Sequence, residues 1–217
     1  HVVTRRQRQM CIRDRDNGTI PWSINNNSQI ENDYLLTGCS SILKSIECSI
    51  ALSKILNKTE NIEKWKKAHL LLSNAIQEPD GKFDLIKDRK RFSMDWYYPI
   101  LSGCLKQDEK SYYINKIFKD FYLDGIGIKC VIEEPWVTVA ETSEFILALM
   151  CAGYDDEAKR LLFDVLNISD EEGIPFMGWQ YEQNIFWPEE KPSWTAAALM
   201  LSADCVFDYS DASDLFK

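Results

Sequence analysis

Histidine is scarce in this chain, with only His1 and His69 among 217 residues. His69 lies in Lys-Lys-Ala-His-Leu-Leu-Leu, which reads as amphipathic helix. A Ser-His-Asp triad or a histidine-ligated zinc is therefore not expected. The cysteines, Cys11, Cys39, Cys48, Cys104, Cys130, Cys151 and Cys205, include no Cys-x-x-Cys pair, and most fall inside apolar helical patterns. They read as small buried hydrophobes of a reducing cytoplasm, which sets the expected location. No apolar run is long enough to span a bilayer. Basic residues are outnumbered, 25 against 34 acidic ones, for a net charge of −9. Such a surface argues against nucleic acid and anionic membrane as partners. Any chemistry must then come mainly from carboxylates, tyrosines or bound cofactors, and no particular cofactor is expected.

Residues 1–15, HVVTRRQRQMCIRDR, hold five arginines, one aspartate and no apolar periodicity. They resemble translated sequencing-adaptor read-through, which often ends in MCIRDR at the start of metagenomic gene models. They are set apart from the fold and expected to pack against nothing. A basic nucleic-acid arm and a targeting peptide are the rival readings, although a secretory signal needs an apolar stretch that is missing here. On the adaptor reading the gene begins further upstream and the chain is a fragment. The remainder has 20 basic and 33 acidic residues, a net of −13. Residues 16–217 are long enough for a sizeable core and are expected to form the C-terminal part of one domain.

Helical periodicity dominates that remainder. Residues 37–56 place Cys39, Ile42, Leu43, Ile46 and Ile50 on one face. Residues 61–76 are more polar, with Trp65, Leu72 and Ile76 inward. Residues 92–105 open with Ser-Met-Asp-Trp-Tyr-Tyr-Pro, where Pro99 disfavours helix at Tyr98 and puts Asp95, Trp96 and Tyr97 at an entry or kink. Further helices are expected over 110–121, 138–152, 156–166 and 195–207, with 125–134 irregular or a short strand and 177–195 mostly loop. Buried helices thus begin near 37, 93, 138 and 194, at intervals of 56, 45 and 56, with half-buried helices between them. A period near fifty of this kind is a repeat signature. Helices buried on all sides need an outer layer around them. The expected fold is therefore all-α, a closed α/α toroid of helical hairpins, with an open solenoid as the alternative.

The segments DNGTIPW, FSMDWYYP, EPWVTVAET and GWQYEQNIFWPEEKPSWTAAA resemble a family of bacterial α/α-toroid proteins of the six-hairpin glycosidase type. Its members are often labelled prenyltransferase-like, because terpenoid cyclases and protein prenyltransferases share the toroid. The resemblance runs from Asp16 to about Phe207. Six hairpins imply about twelve helices against the seven read here, so the toroid is expected to be incomplete, lacking an N-terminal part.

Six of the seven tryptophans, Trp22, Trp96, Trp136, Trp179, Trp187 and Trp194, fall just before or at the start of a buried helix; Trp65 is the exception. If the inner helices of a ring run parallel, these rings line one mouth. Acids recur at the same places: Asp95, Glu141 with Glu144, and Glu189 with Glu190. Asp95 and Glu141 are the expected catalytic pair, because a glycosidase needs one protonated and one ionised carboxyl. Trp96, Tyr97, Trp136, Glu144, Trp179, Tyr181, Trp187, Glu189 and Trp194 are the expected substrate contacts. Structural roles compete with these assignments. Thr138-Val-Ala-Glu141 fits a capping box, Asp95 suits a helix dipole, and Glu144 in an apolar helix calls for a salt bridge if it is not functional.

Three functions follow. The first is an enzyme or binder acting on a glycan or glycoconjugate, a glycoside hydrolase-like protein with a small-molecule or glycan substrate. The second is an isoprenoid-handling toroid, although no Asp-x-Asp-Asp motif and no suitably placed histidine occur. The third is a non-catalytic helical scaffold. Nothing in the sequence sets an oligomeric state.

Overall fold

A computed structural model describes residues 17–23, 27 and 33–217. The adaptor-like stretch 1–15, expected to pack against nothing, lies outside the described residues. The main elements are helical, as the periodicity predicts, with seven α-helices and two small antiparallel sheets among the described residues. The chain divides into two compact units, His1–Arg89 and Lys90–Lys217.

The first unit contains α1 (Leu36–Ile55) and α2 (Ile62–Gln77), which pack on each other. Leu43, Leu72, Ala75 and Ile76 are buried. The turn that precedes them closes against α2: a Cβ on Gly18, whose φ is +84°, would sit 2.5 Å from the Leu71 carbonyl carbon. Only glycine fits there without displacing backbone.

The second unit holds α3 (Met94–Leu101), α4 (Gln107–Asp120), α5 (Val139–Cys151), α6 (Asp155–Leu166) and α7 (Ser193–Phe207). Helix α5 is its centre and packs against α3, α6 and α7. Phe145, Ile146, Ala148 and Leu149 are fully buried, as an all-round apolar helix requires. Helix α6 is amphipathic, with Ala158, Leu161, Leu162 and Val165 inward. Helix α7 differs from the expected buried helix. Its Thr195, Leu199, Ser202 and Cys205 are buried, while Met200 is 72% exposed and Leu201 and Phe207 are also exposed.

Helix α3 is shorter than the expected 92–105 and runs through Pro99. Proline removes one amide but tolerates helical φ. With only eight residues, α3 loses a single bond, and Asp95–Tyr97 form its regular first turns.

The main departure from the helical pattern is strand. β1 (Tyr122–Leu123) pairs with β2 (Gly127–Ile128), and β3 (Trp136–Thr138) pairs with β4 (Gly178–Gln180), which pairs with β5 (Ile185–Phe186). Residues 177–195 therefore contain a hairpin where loop is expected. Aromatic and β-branched residues on both sides of a short polar turn suit a strand pair. Asn184, at φ +58°, takes the left-handed turn position that asparagine tolerates.

β3 runs directly into α5, and two contacts fix that junction. The Ile128 amide donates to the Thr142 hydroxyl at 2.9 Å, and that hydroxyl donates to the Thr138 carbonyl at 2.6 Å. Gly178 lies so close to β3 that a Cβ would stand 2.6 Å from the Trp136 indole nitrogen. Gly178→Ala should therefore cost about 2 kcal/mol in urea unfolding and displace the Trp136 ring. An unchanged unfolding midpoint would show that the junction is slack.

Candidate active site

Glu141 and Glu144 stand one turn apart on α5, where i and i+3 share a helix face. Both are half-buried. α3 supplies their neighbours. The Tyr97 hydroxyl donates to Glu144 Oε2 at 2.6 Å, and the Tyr98 hydroxyl donates to Glu144 Oε1 at 3.1 Å. Two phenols thus satisfy Glu144, where a salt bridge was the expected structural alternative. Tyr97 is fully buried, with its ring tilted against those of Phe145 and Tyr98 at centroid distances of 6.4 and 5.3 Å.

Glu141 is not a cap. Helix α5 has no side-chain N-cap hydrogen bond, and the Cys130 thiol donates to Glu141 Oε1 at 3.3 Å. Cys130 is itself held by backbone. Its carbonyl accepts from the Ser93 amide at 3.0 Å and the Ser93 hydroxyl at 3.4 Å, while its amide donates to the Trp136 carbonyl at 3.3 Å. One residue therefore ties together the start of α3, strand β3 and the first turn of α5. No pattern within residues 125–134 marks Cys130 for this role, because the thiol meets Glu141 only once β2 has docked.

The electrostatics follow from burial. Burial pushes the Glu144 carboxyl above its usual range; the two phenolic donors oppose that, and the Glu141 charge adds to it. Burial and the Glu144 charge hold Tyr97 well above the ordinary phenol value and raise Tyr98 as well. Burial, then the Glu141 charge, pushes the Cys130 thiol up to about 12. The cluster is therefore one of neutral donors around two carboxyls. Among the described residues, no group of three or more His, Cys, Asp or Glu side chains is placed to hold a metal ion.

Asp95 is in the first turn of α3 and only 7% exposed. It precedes Tyr98 by one helical turn. Trp96 turns away from this cluster. Its indole N–H donates to the Lys90 carbonyl at 2.9 Å, and its ring packs on Tyr113 and Tyr112 of α4, with the Lys116 ammonium 5.3 Å from its centre. It is a packing residue between helices.

The remaining aromatics divide between the two faces of the β3–β4–β5 sheet. Val137, Trp179 and Phe186 are cross-strand partners, so they share one face. Val137 is fully buried and Phe186 stacks on Phe176 at 4.0 Å, which makes that face the inner one. Trp136 points to the other face by alternation. There its indole donates to the Trp187 carbonyl at 2.6 Å, and the two rings meet edge to face at 5.5 Å. Trp187 is 54% exposed, so this pair presents ring surface to solvent. Trp179 is thus separated by the sheet from the pair it was expected to join. Tyr181 is fixed near this edge by its amide, which donates to the Pro135 carbonyl at 3.1 Å. Glu189 and Glu190 are exposed in the β5–α7 connection, and Trp194 is 54% exposed in the first turn of α7.

A cavity of about 280 Å³ lies elsewhere, lined in the first unit by Glu47, Ile50, Ala51, Lys54, Lys66 and His69. None of the expected site residues lines it.

No protein-family model matches the chain. The chain is similar to an MMP endo-(1,4)-3-O-methyl-alpha-D-mannosidase of Mycolicibacterium hassiacum, 36% identical over 200 residues. Those residues are 92% of this chain and 54% of that protein, so the chain spans about half the length of the curated relative it matches. No helix among the described residues is long and apolar enough to cross a membrane.

The raised Glu144 carboxyl makes a prediction about stability. A carboxyl that holds its proton more tightly when folded favours folding below its unfolded value, about pH 4.3. That contribution is lost as pH rises through the raised folded value. Glu144→Gln cannot ionise. Its melting temperature should fall less than that of the parent as pH is raised from about 4 through 7. Parallel melting curves for the two proteins would contradict the assigned shift.

Proposed function

We propose that this chain carries the acid cluster of a carbohydrate-acting, glycosidase-type enzyme. Its substrate would be a glycan with an apolar, O-methylated face. The observation that carries the reading is the acid face of α5, joined directly to strand β3, whose half-buried Trp136 meets the exposed Trp187. Glu141 has one oxygen on the Cys130 thiol, and its half-buried position leaves it open to a ligand. Asp95 is its proposed partner from α3. One of the two delivers a proton to the glycosidic oxygen, and the other supplies the carboxylate that attacks the anomeric carbon or activates water.

Trp136 and Trp187 provide the sugar platform. Flat rings cover the apolar face of a pyranose, and a methoxy group extends that face. Tyr181, Trp194 and Glu189 lie along the same stretch of chain and are the proposed outer contacts. The relative's name supplies the substrate class to try first, α-(1,4)-linked 3-O-methylmannose chains. The toroid implied by the sequence motifs belongs to the same proposal, with the inner helices bringing their N-termini to one mouth.

The test is incubation of the chain with α-(1,4)-linked 3-O-methyl-D-mannose oligosaccharides, followed by mass spectrometry of the products. Shortened oligosaccharides are expected. Glu141→Gln and Asp95→Asn should each lower turnover by about 10²–10⁴-fold with little change in melting temperature. No shortening by the unsubstituted chain, or full activity in both variants, would remove the reading.

A further inference from the structure

We propose that the cavity between α1 and α2 is a binding site for a compact hydroxylated phosphate ester, of which a hexose phosphate is the simplest form. The cavity belongs to the first unit, and no residue of the acid cluster lines it. The inference therefore does not depend on the glycosidase reading.

The lining is sorted by charge along the groove. Glu47, Ile50, Ala51 and Lys54 recur at spacings of three and four along α1, so they form one stripe. Lys66 and His69 line the opposite wall from α2, one turn apart. α1 ends at Ile55 and α2 begins at Ile62, so the two packed helices form an antiparallel hairpin. Lys54 and Lys66 therefore share the end nearest the turn. Ile50, Ala51 and His69 occupy the middle, and Glu47 the far end. Two turns of helix, about 10 Å, separate Lys54 from Glu47.

Each part of the lining asks for a different group. Lys54 and His69 make no ion pair or side-chain hydrogen bond among the described residues. Lys66 spends one donor on Glu63 at 2.8 Å and keeps two. Two ammonium groups and an imidazole N–H are point donors, and no arginine is among the lining residues. Such a set suits the several oxygens of a phosphate better than the flat carboxylate that an arginine fork holds at two points. Ile50 and Ala51 offer an apolar floor for ring carbons. Glu47 is already paired with Lys44 at 3.2 Å, so its free oxygen calls for a hydroxyl and not for a second cation. Anion, apolar face and hydroxyl in that order are the groups of a phosphorylated sugar. A volume of about 280 Å³ restricts the ligand to a small one. The chain carries a net charge of −9, so overall attraction does not account for an anion here and the local cations must.

The experiment is proton NMR of the full chain at fixed pH, following the His69 imidazole signal, which is identified by its loss in His69→Gln. Glucose 6-phosphate, glucose and inorganic phosphate are the three probes. Glucose 6-phosphate should shift the signal saturably, glucose should leave it unmoved, and inorganic phosphate should bind more weakly than the ester. Lys54→Gln should weaken glucose 6-phosphate binding by about tenfold, the loss of one charged hydrogen bond. Lys66→Gln should weaken it by less, because that ammonium is shared with Glu63. Both lysines are exposed, so the two variants should keep the melting temperature of the parent. No saturable shift with glucose 6-phosphate, or unchanged affinity in both folded variants, would overturn the proposal. Equal affinity for inorganic phosphate would also overturn it, since the apolar floor and Glu47 would then read nothing.

Discussion

A carboxyl in the middle of an apolar helix must find donors, lose its charge or destabilise the fold. Glu144 meets that constraint with two phenols from a neighbouring helix. Much of the second unit is arranged around this solution. Tyr97 reaches α5 because α3 carries it fully buried against Phe145. α3 stays in register because Ser93, at its start, is bonded to the carbonyl of Cys130. Cys130 in turn directs its thiol to Glu141. Burial, helix contact and hydrogen bonding therefore converge on one polar cluster, where a half-satisfied network would cost more than an apolar core.

The same junction links acids to aromatics. Strand β3 ends where α5 begins, so Trp136 and Glu141 belong to one continuous and well-buttressed piece of chain. The Thr142 hydroxyl and the close approach of Gly178 hold that piece in place. The Trp136–Trp187 pair is oriented by its own indole hydrogen bond before any ligand arrives. Preorganisation of this kind reduces the entropy lost on binding. Met200, Leu201 and Phe207 on the far side of α7 show that apolar exposure in this unit extends beyond the proposed ligand face.

Much of this was legible in the sequence because helical period is a local property. α1, α5 and α6 begin within a residue of where the spacing of Leu43, Phe145 and Leu161 puts them. The hairpin over 178–186 was not legible, since two-residue and three-residue strands are too short to show alternation. Glu144 stood out as a carboxylate in apolar surroundings, whereas Tyr97 was expected to contact substrate. Their pairing spans 47 residues and depends on tertiary packing. Trp96 shows the opposite failure. Position at a helix start suggested a rim, but the face a residue takes is set by the neighbouring helix, and α4 captured the ring. Trp179 was misplaced for a similar reason, because strand alternation turns it to the face opposite Trp136.

The central claim is that the acids of α5 and the Trp136–Trp187 pair serve one glycan. Its most direct test follows the tryptophan indole N–H signals of ¹⁵N-labelled Glu141→Gln during titration with an α-(1,4)-linked 3-O-methylmannose oligosaccharide. The account predicts saturable shifts at Trp136 and Trp187, with Trp65 of α2 and the packed Trp96 unmoved. Shifts confined to Trp65, or none at any indole, would contradict it.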